Sequence, residues 1–373
     1  MTTDLAGRQA LRILVAAGGT GGHLFPGIAV ARSFQQACPD ASIAFLGRRG
    51  GLEERLVPRE GYPLHTVSVR GLQGRTRLAQ LQSLAVLAIG TSQALRFLRR
   101  WRPNLVVGAG GYVMAPAVLA AALLRLPRVI MEQNLVPGLT VRVLARYAQR
   151  VFTAFPESQK FLKMPKVVCT GTPIRPEIAD PAPEAPKRDS NRLNVLVVGG
   201  SQGAHRLNQA VMEALPMLAA HREKVRFVHQ TGEFDLTRVA EAYESSGVPG
   251  ETHAFLHDMP QRYHWAHLVL SRAGASTLAE LTACGKPAIL VPYPYAADDH
   301  QLHNALAMRE RGAAQVIVDA ELTGQRVHDS LERYILHPAR LRDQAAQSRR
   351  LGRPHAARDI VNTCLEILDA TAA

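Results

Sequence analysis

RILVAAGGTGGH (residues 12–23) and NVLVVGGSQGAH (residues 194–205) are two versions of one phrase, half a chain apart. Each is a β-branched apolar run that stops at a glycine cluster and then feeds a helix-like stretch. In a strand–loop–helix unit, glycines let the backbone approach a phosphate, and the helix N-terminus turns unpaired N–H groups toward it. One such loop is a weak signal. Two of them, each opening half of a 373-residue chain, predict an α/β protein of two Rossmann-like domains. Their parallel sheets are expected to face each other across a cleft, which suits an enzyme handling two phosphorylated molecules.

Strand-like and helix-like runs alternate outward from both copies, the pattern of parallel α/β sheets. The first half has expected strands near residues 13–16, 43–46, 65–69, 105–107, 129–131, 151–154 and 167–169. The second has them near 195–198, 226–230, 253–256, 268–271, 288–291 and 315–318. DPAPEAPKRDSNR (residues 180–192) is proline-rich, polar and aperiodic, a linker composition. The expected division is a first domain over 1–180, a linker over 181–192 and a second domain over 193–353. A last helical segment over 354–373 is expected to cross back to the first domain.

Hydrophobic content of 47% with 5% aromatic fits an ordinary α/β protein. Cys38, Cys169, Cys284 and Cys364 lack CxxC spacing and read as buried or incidental thiols of a cytoplasmic chain. No segment has the plan of a secretory signal, nor the ~18 uncharged apolar residues of a membrane span. Charge is uneven: residues 1–180 hold 23 basic and 9 acidic residues, whereas 181–373 hold 21 and 22. No acidic residue falls between Glu60 and Glu132, a span with nine arginines among Leu- and Ala-rich helices. This is either a solvated basic face or a surface for anionic lipid headgroups. Nucleic acid is disfavoured as a partner, because few aromatics interleave the arginines and no binding motif is present.

GGTGGHLFP (residues 18–26) is neither GxGxxG nor a P-loop, since it lacks the third glycine and the GK[ST] ending. It fits a wide anion-binding turn, with Thr20 as an extra donor. His23 reads either as a helix-start residue or as a general base beside the loop. GAGGYVMAPA (residues 108–117) is a second glycine loop with Tyr112 at its tip, to hold a ligand or to cap the turn. In the second half, GGSQGAHRLNQ (residues 199–209) and SRAGASTLAE (residues 271–280) repeat the arrangement. Glu280, about one turn into its helix, can accept both hydroxyls of a ribose or can answer the helix dipole. DDHQLHNA (residues 298–305) brings Gln301 onto another helix start, which favours the ligand reading.

Taken in order, GGTGGHLFP, the GGY loop, EQN (residues 132–134), GTPIRPEI (171–178), GGSQGA, RAGASTLAE and DHQLHNA closely resemble the MurG family of bacterial cell-wall glycosyltransferases. The resemblance runs from about Ile13 to Ala305 and implies the GT-B fold. It implies inverting transfer of GlcNAc from UDP-GlcNAc to the MurNAc 4-hydroxyl of undecaprenyl-pyrophosphoryl-MurNAc-pentapeptide. The second domain then holds the donor: Ser201 and the 199–203 loop at the diphosphate, and the backbone around Leu256 at uracil. Ala275, Ser276, Thr277, Leu278 and Ala279 line the nucleotide pocket, Glu280 holds the ribose, and Gln301 bonds the sugar. Thr20, Gly21, Gly22, Asn134 and Arg175 of the first domain also lie at the sugar. Gly110, Gly111 and Tyr112 take the acceptor pyrophosphate. Thr172 stands where Asn is common in the family, and His300 and His303 flank Gln301.

On this resemblance no cofactor or metal is required, and His23 is the candidate base. Leaving-group charge falls to helix N-termini, loop amides and Arg175. A lipid-linked acceptor adds an anionic membrane surface, at residues of about 70–128, and other cell-wall synthesis proteins to the partners. The expected location is peripheral, on the cytoplasmic face of the plasma membrane. Three other readings stay open: a UDP-sugar epimerase, a lipid glucosyltransferase, and a catalytically silent nucleotide-sugar or lipid-surface binding module.

Overall fold

Ile13, Leu14, Val15 and Ala16 have no exposed surface at all, and neither do Val195, Leu196 and Val197. Strands buried on both faces belong at the centre of parallel sheets covered by helices. The computed structural model, which describes residues 11–71, 77–162, 166–179, 192–200 and 203–372, contains two such sheets. They lie in two compact units, residues 1–175 with 355–373, and residues 176–354. The linker expected over 181–192 lies outside the described residues except for Arg192.

In the first unit the chain runs β1 (Arg12–Ala16), α1 (Gly21–Ala37), β2 (Ser42–Arg48), α2 (Glu53–Arg59), β3 (Leu64–Val67) and α3 (Arg77–Trp101). It continues through β4 (Leu105–Gly108), α4 (Ala115–Leu123), β5 (Arg128–Glu132), α5 (Leu139–Leu144), β6 (Arg150–Thr153) and β7 (Val167–Cys169). The sheet order is β3-β2-β1-β4-β5-β6-β7, all parallel. Strand order therefore reverses between β1 and β4. The glycine loops follow those two strands, whose last residues, Ala16 and Gly108, are register partners.

The second unit opens with α6 (Pro176–Ala179) and β8 (Leu193–Val198), then α7 (His205–Leu218), β9 (Val225–Gln230), α8 (Leu236–Ser246) and β10 (Gly250–His253). There follow α9 (Met259–Trp265), β11 (Leu268–Ser271), α10 (Ala275–Ala283), β12 (Ala288–Leu290), α11 (His300–Glu310) and β13 (Ala314–Val316). Helices α12 (Gly324–Leu336) and α13 (Ala339–Leu351) complete it. The parallel order β10-β9-β8-β11-β12-β13 puts its reversal between β8 and β11. Val198 and Ser271 are partners there, and the second unit's two glycine turns follow them. Ligands of open parallel sheets bind at such reversals, where loops from adjacent strands diverge and leave a crevice.

One edge strand differs from its expectation. The apolar residues 254–256 invite a strand over 253–256, yet β10 ends at His253. Beyond it the Leu256 N–H leaves the ladder and donates to the side chain of Gln230 (3.0 Å). The last helix, α14 (Ala356–Ala372), belongs to the first unit. Its Ile360, Val361, Cys364 and Ile367 join Phe34, Ile28 and Phe45 in one buried cluster.

Candidate active site

The first unit's site is built on two loops that share walls. At Gly110 (φ +92°) and Gly111 (φ +67°) the backbone is left-handed, which glycine alone adopts readily. A Cβ at Gly110 would sit 2.6 Å from Gln133 Oε1 and 2.8 Å from the His23 ring, so the loop has no room for one. His23 thus lies flat against the second glycine loop, and its Nδ1 is 3.0 Å from Thr20 Oγ1. Gly21 is covered by the Phe25 ring, over which the Arg175 guanidinium stands at 6.0 Å. Thr20, Gly21, Gly22, His23, Gly110, Gly111, Tyr112 and Arg175 are brought together in this way.

Asn134 is placed by a carboxylate beneath it. Glu132 is almost fully buried and accepts the N–H groups of Asn134 (2.9 Å) and Gly138 (2.9 Å) and the Asn134 side-chain amide (3.2 Å). Burial pushes the Glu132 carboxyl above its ordinary range, while the donated hydrogen bonds oppose that shift. Thr172 is buried, and its hydroxyl has no partner among the described residues.

Two supports of this site carry no motif of their own. Glu53 has no exposed surface and accepts the N–H of Gly19 (3.3 Å) and of Arg48 (2.8 Å). The Gly19 amide is therefore turned into the protein and away from any ligand. Arg48, at the end of β2, reaches across to donate to the Tyr112 hydroxyl (3.2 Å), which links the two loops. Glu53 and Arg48 sit in GRRGGLEER (residues 47–55), a loop-like run of charge with no spacing to single them out.

In the second unit a cavity of about 420 Å³ opens at the strand-order reversal. Gly199, Gly200, Gly203, Thr277 and Gln301 line it, as do His205, Arg206, Arg272, Asp319 and Tyr295. Ser201 lies outside the described residues. Gly203 (φ +78°) packs so closely on the Thr231 carbonyl that no Cβ fits, which fixes the loop. Asp319 pairs with Arg272 (2.7 Å) and Arg206 (3.1 Å), leaving the wall with more positive than negative charge. Arg272 follows β11 in SRAGA but was not singled out by the sequence, and Arg206 and Asp319 are joined to it only by the fold.

Of the remaining expected residues, Glu280, Leu256, Ala275, Ser276, Leu278 and Ala279 are not among those that line this cavity. Glu280 accepts the hydroxyl of the buried Tyr263 on Oε2 (2.9 Å). Gln301 Oε1 is engaged by the N–H groups of Ala273 (3.2 Å) and Tyr293 (3.0 Å), so its NH₂ is the part left to face a ligand. Asp298 (φ +51°) and Asp299 (φ +48°), two non-glycine residues in the left-handed region, turn the chain so that Gln301 falls in the first turn of α11. Ala275, Ser276 and Ala279 are half-buried on α10, but the Leu278 side chain is in the core and its N–H is bonded to Gly274. Leu278 thus does not present its side chain to the cavity. The Leu256 N–H is taken by Gln230, whose Nε2 in turn donates to Gly200 O (2.7 Å). Gln230 ties the expected uracil-reading segment to the glycine loop and was not singled out by any motif.

Two parallel sheets, each with paired glycine turns at its reversal, are the pair of Rossmann-like domains of the GT-B fold. The chain belongs to glycosyltransferase family 28, whose N-terminal domain matches residues 13–153 and whose C-terminal domain matches residues 194–362. It is 44% identical to the UDP-N-acetylglucosamine--N-acetylmuramyl-(pentapeptide) pyrophosphoryl-undecaprenol N-acetylglucosamine transferase of Geobacter metallireducens, over 94% of this chain and 97% of that one. The crystal structure of Acinetobacter baumannii MurG superposes with a TM-score of 0.78 at 30% identity, covering 95% of this chain and 99% of that one. A UDP-N-acetylglucosamine 2-epimerase (TM-score 0.64, 13% identity, 95% of each chain) shares the fold alone.

Proposed function

We propose that this protein transfers GlcNAc from UDP-GlcNAc to the MurNAc 4-hydroxyl of a polyprenyl-pyrophosphoryl-MurNAc-pentapeptide, with inversion at the anomeric carbon. The observation that carries the reading is the duplicated site: each unit has glycine turns at its own strand-order reversal. The identity to transferases of that name over nearly the whole chain supports it. The second unit takes the donor: its cavity wall, rich in Arg and loop amides, suits a diphosphate, and Glu280 and Gln301 take ribose and sugar. The first unit takes the acceptor, with Gly110, Gly111 and Tyr112 at the pyrophosphate and His23 as base. In the single displacement the acceptor oxygen attacks C1, its proton passes to His23, and the C1–O electrons leave on the UDP phosphate.

Labelled UDP-GlcNAc mixed with a short-chain polyprenyl-pyrophosphoryl-MurNAc-pentapeptide is expected to give a labelled disaccharide lipid and one UDP per transfer. With UDP-GlcNAc alone, no sugar product is expected. Conversion to an epimer without acceptor would favour the epimerase fold relatives. Tight UDP-GlcNAc binding with no turnover would leave only a binding module.

The acceptor's lipid anchor gives the basic half of the chain its role. Among the described residues no helix is long and apolar enough to cross a membrane. Leu84, Ile89 and Leu123 are exposed on α3 and α4 with Arg96, Arg99, Arg100 and Arg125. Helix α5 and its continuation add exposed Leu139, Val143, Tyr147, Arg142 and Arg146, beyond the span first expected. We place the lipid contact here, the arginines drawn to anionic headgroups on the cytoplasmic face and the apolar side chains inserting between them. Binding to vesicles containing phosphatidylglycerol is expected to weaken markedly between low and ~0.5 M salt, where the Debye length shortens to a few ångströms. Salt-insensitive binding, or none, would remove this surface from the account.

A further inference from the structure

We infer that His205 is the side chain that holds the diphosphate of the departing nucleotide, and that the buried Asp235 equips it to do so. This rests on the donor reading of the second unit. His205 is the first residue of α7, two positions after Gly203, and lines the cavity with the glycine loop. Its Nδ1 lies 2.9 Å and 3.0 Å from the two oxygens of Asp235. A carboxylate can only accept, so Nδ1 carries a proton and the ring presents Nε2 to any ligand. Nε2 has no partner among the described residues, and half of the side chain is exposed.

Asp235 is no chance surface partner. Only 2% of its side chain is exposed, it accepts the Asn208 amide at 2.8 Å, and Arg238 stands further off at 3.8 Å. Asn208 is itself fixed by donating to Thr231 O (2.8 Å), and its oxygen is 3.0 Å from His229 Nε2. Burial holds His229 down at about 3, so it is a neutral member of this chain of hydrogen bonds. Within the network, His205 and the more distant Arg238 therefore answer the buried negative charge. With Nδ1–H spent on the carboxylate, an acceptor-only phosphate oxygen can be held at the other nitrogen only by an N–H there, so the ligand-holding form of the ring carries a proton on each nitrogen. When the C1–O bond breaks, the electron pair stays on the β-phosphate oxygen. The imidazolium keeps both protons and stabilises that charge through Nε2–H, a charge-assisted hydrogen bond.

The test is calorimetric titration of the full chain with UDP, UMP and uridine, beside steady-state rates. His205→Ala is expected to weaken UDP about tenfold, leave uridine unchanged and lower kcat. His205→Arg, which restores a cation at a half-exposed position, is expected to recover most of the UDP affinity. Asp235→Asn should weaken UDP in the same sense. A parallel loss of UDP and uridine in His205→Ala, or no loss of either, overturns the inference and leaves the donor reading standing. If the unmutated chain bound neither UDP nor uridine, the donor reading itself would fall, and this inference with it.

Discussion

His23→Ala is expected to lower kcat by about two to four orders of magnitude while moving the donor KM little. The size follows from the work assigned to the residue. A positioned base contributes that much when it removes the proton from an attacking hydroxyl, and in the proposed division of labour the nucleotide binds the other unit. The ring is well placed for this. It is flat against Gly110 and Gly111, and its Nδ1 is 3.0 Å from the Thr20 hydroxyl, which fixes its rotation. Thr20→Val should therefore give a smaller loss of the same kind, in kcat before KM. Turnover per enzyme near wild type in His23→Ala would take the base role away and leave His23 as packing for the second glycine loop.

Glu280→Ala is expected to raise the donor KM by about ten- to a hundredfold, the loss of two hydrogen bonds to a charged acceptor. Chemistry on bound substrate should slow far less. Tyr263→Phe removes the hydroxyl that Glu280 accepts (2.9 Å) and should cost only a few-fold, since the carboxylate remains. A 2′-deoxyribose donor makes the assignment specific: it should bind the unmutated enzyme worse than UDP-GlcNAc, yet bind Glu280→Ala equally well. Independent losses from the two changes would place Glu280 elsewhere than on the ribose.

The fold was legible because its signals are local. Buried parallel strands are short apolar runs bounded by glycine, and residues 13–16, 105–107, 195–198 and 268–271 show that pattern without help from distant sequence. Where the rule failed, over residues 253–256, Leu256 is fixed by the Gln230 side chain and not by a neighbouring strand. The site was legible to the extent that its parts lie in loops after strands. Gly110 lies in such a loop, and His23, Thr277 and Gln301 lie in the first turns of the helices that such loops open. What the sequence hides is support arriving from elsewhere in the chain. Glu53 lies 34 residues from the Gly19 amide it accepts, and Asp319 lies 47 residues from Arg272. No periodicity or spacing links such pairs, and only the sheet order brings them into contact. Leu278 shows a further effect. A motif marks a stretch of chain, but helical geometry sends one member of the stretch into the core.

The path of α14 bears on synthesis. Ile360, Val361, Cys364 and Ile367 complete the cluster that contains Phe34 and Phe45, so the first unit lacks part of its interior until residues 360–367 have been made. Residues 176–354 have by then all been made, and the usual vectorial order, first domain first, is inverted. The nascent amino-terminal half waits on the ribosome with a greasy seam uncovered. A stop codon ahead of position 356 is expected to destabilise the first unit, although every residue it removes lies beyond the second.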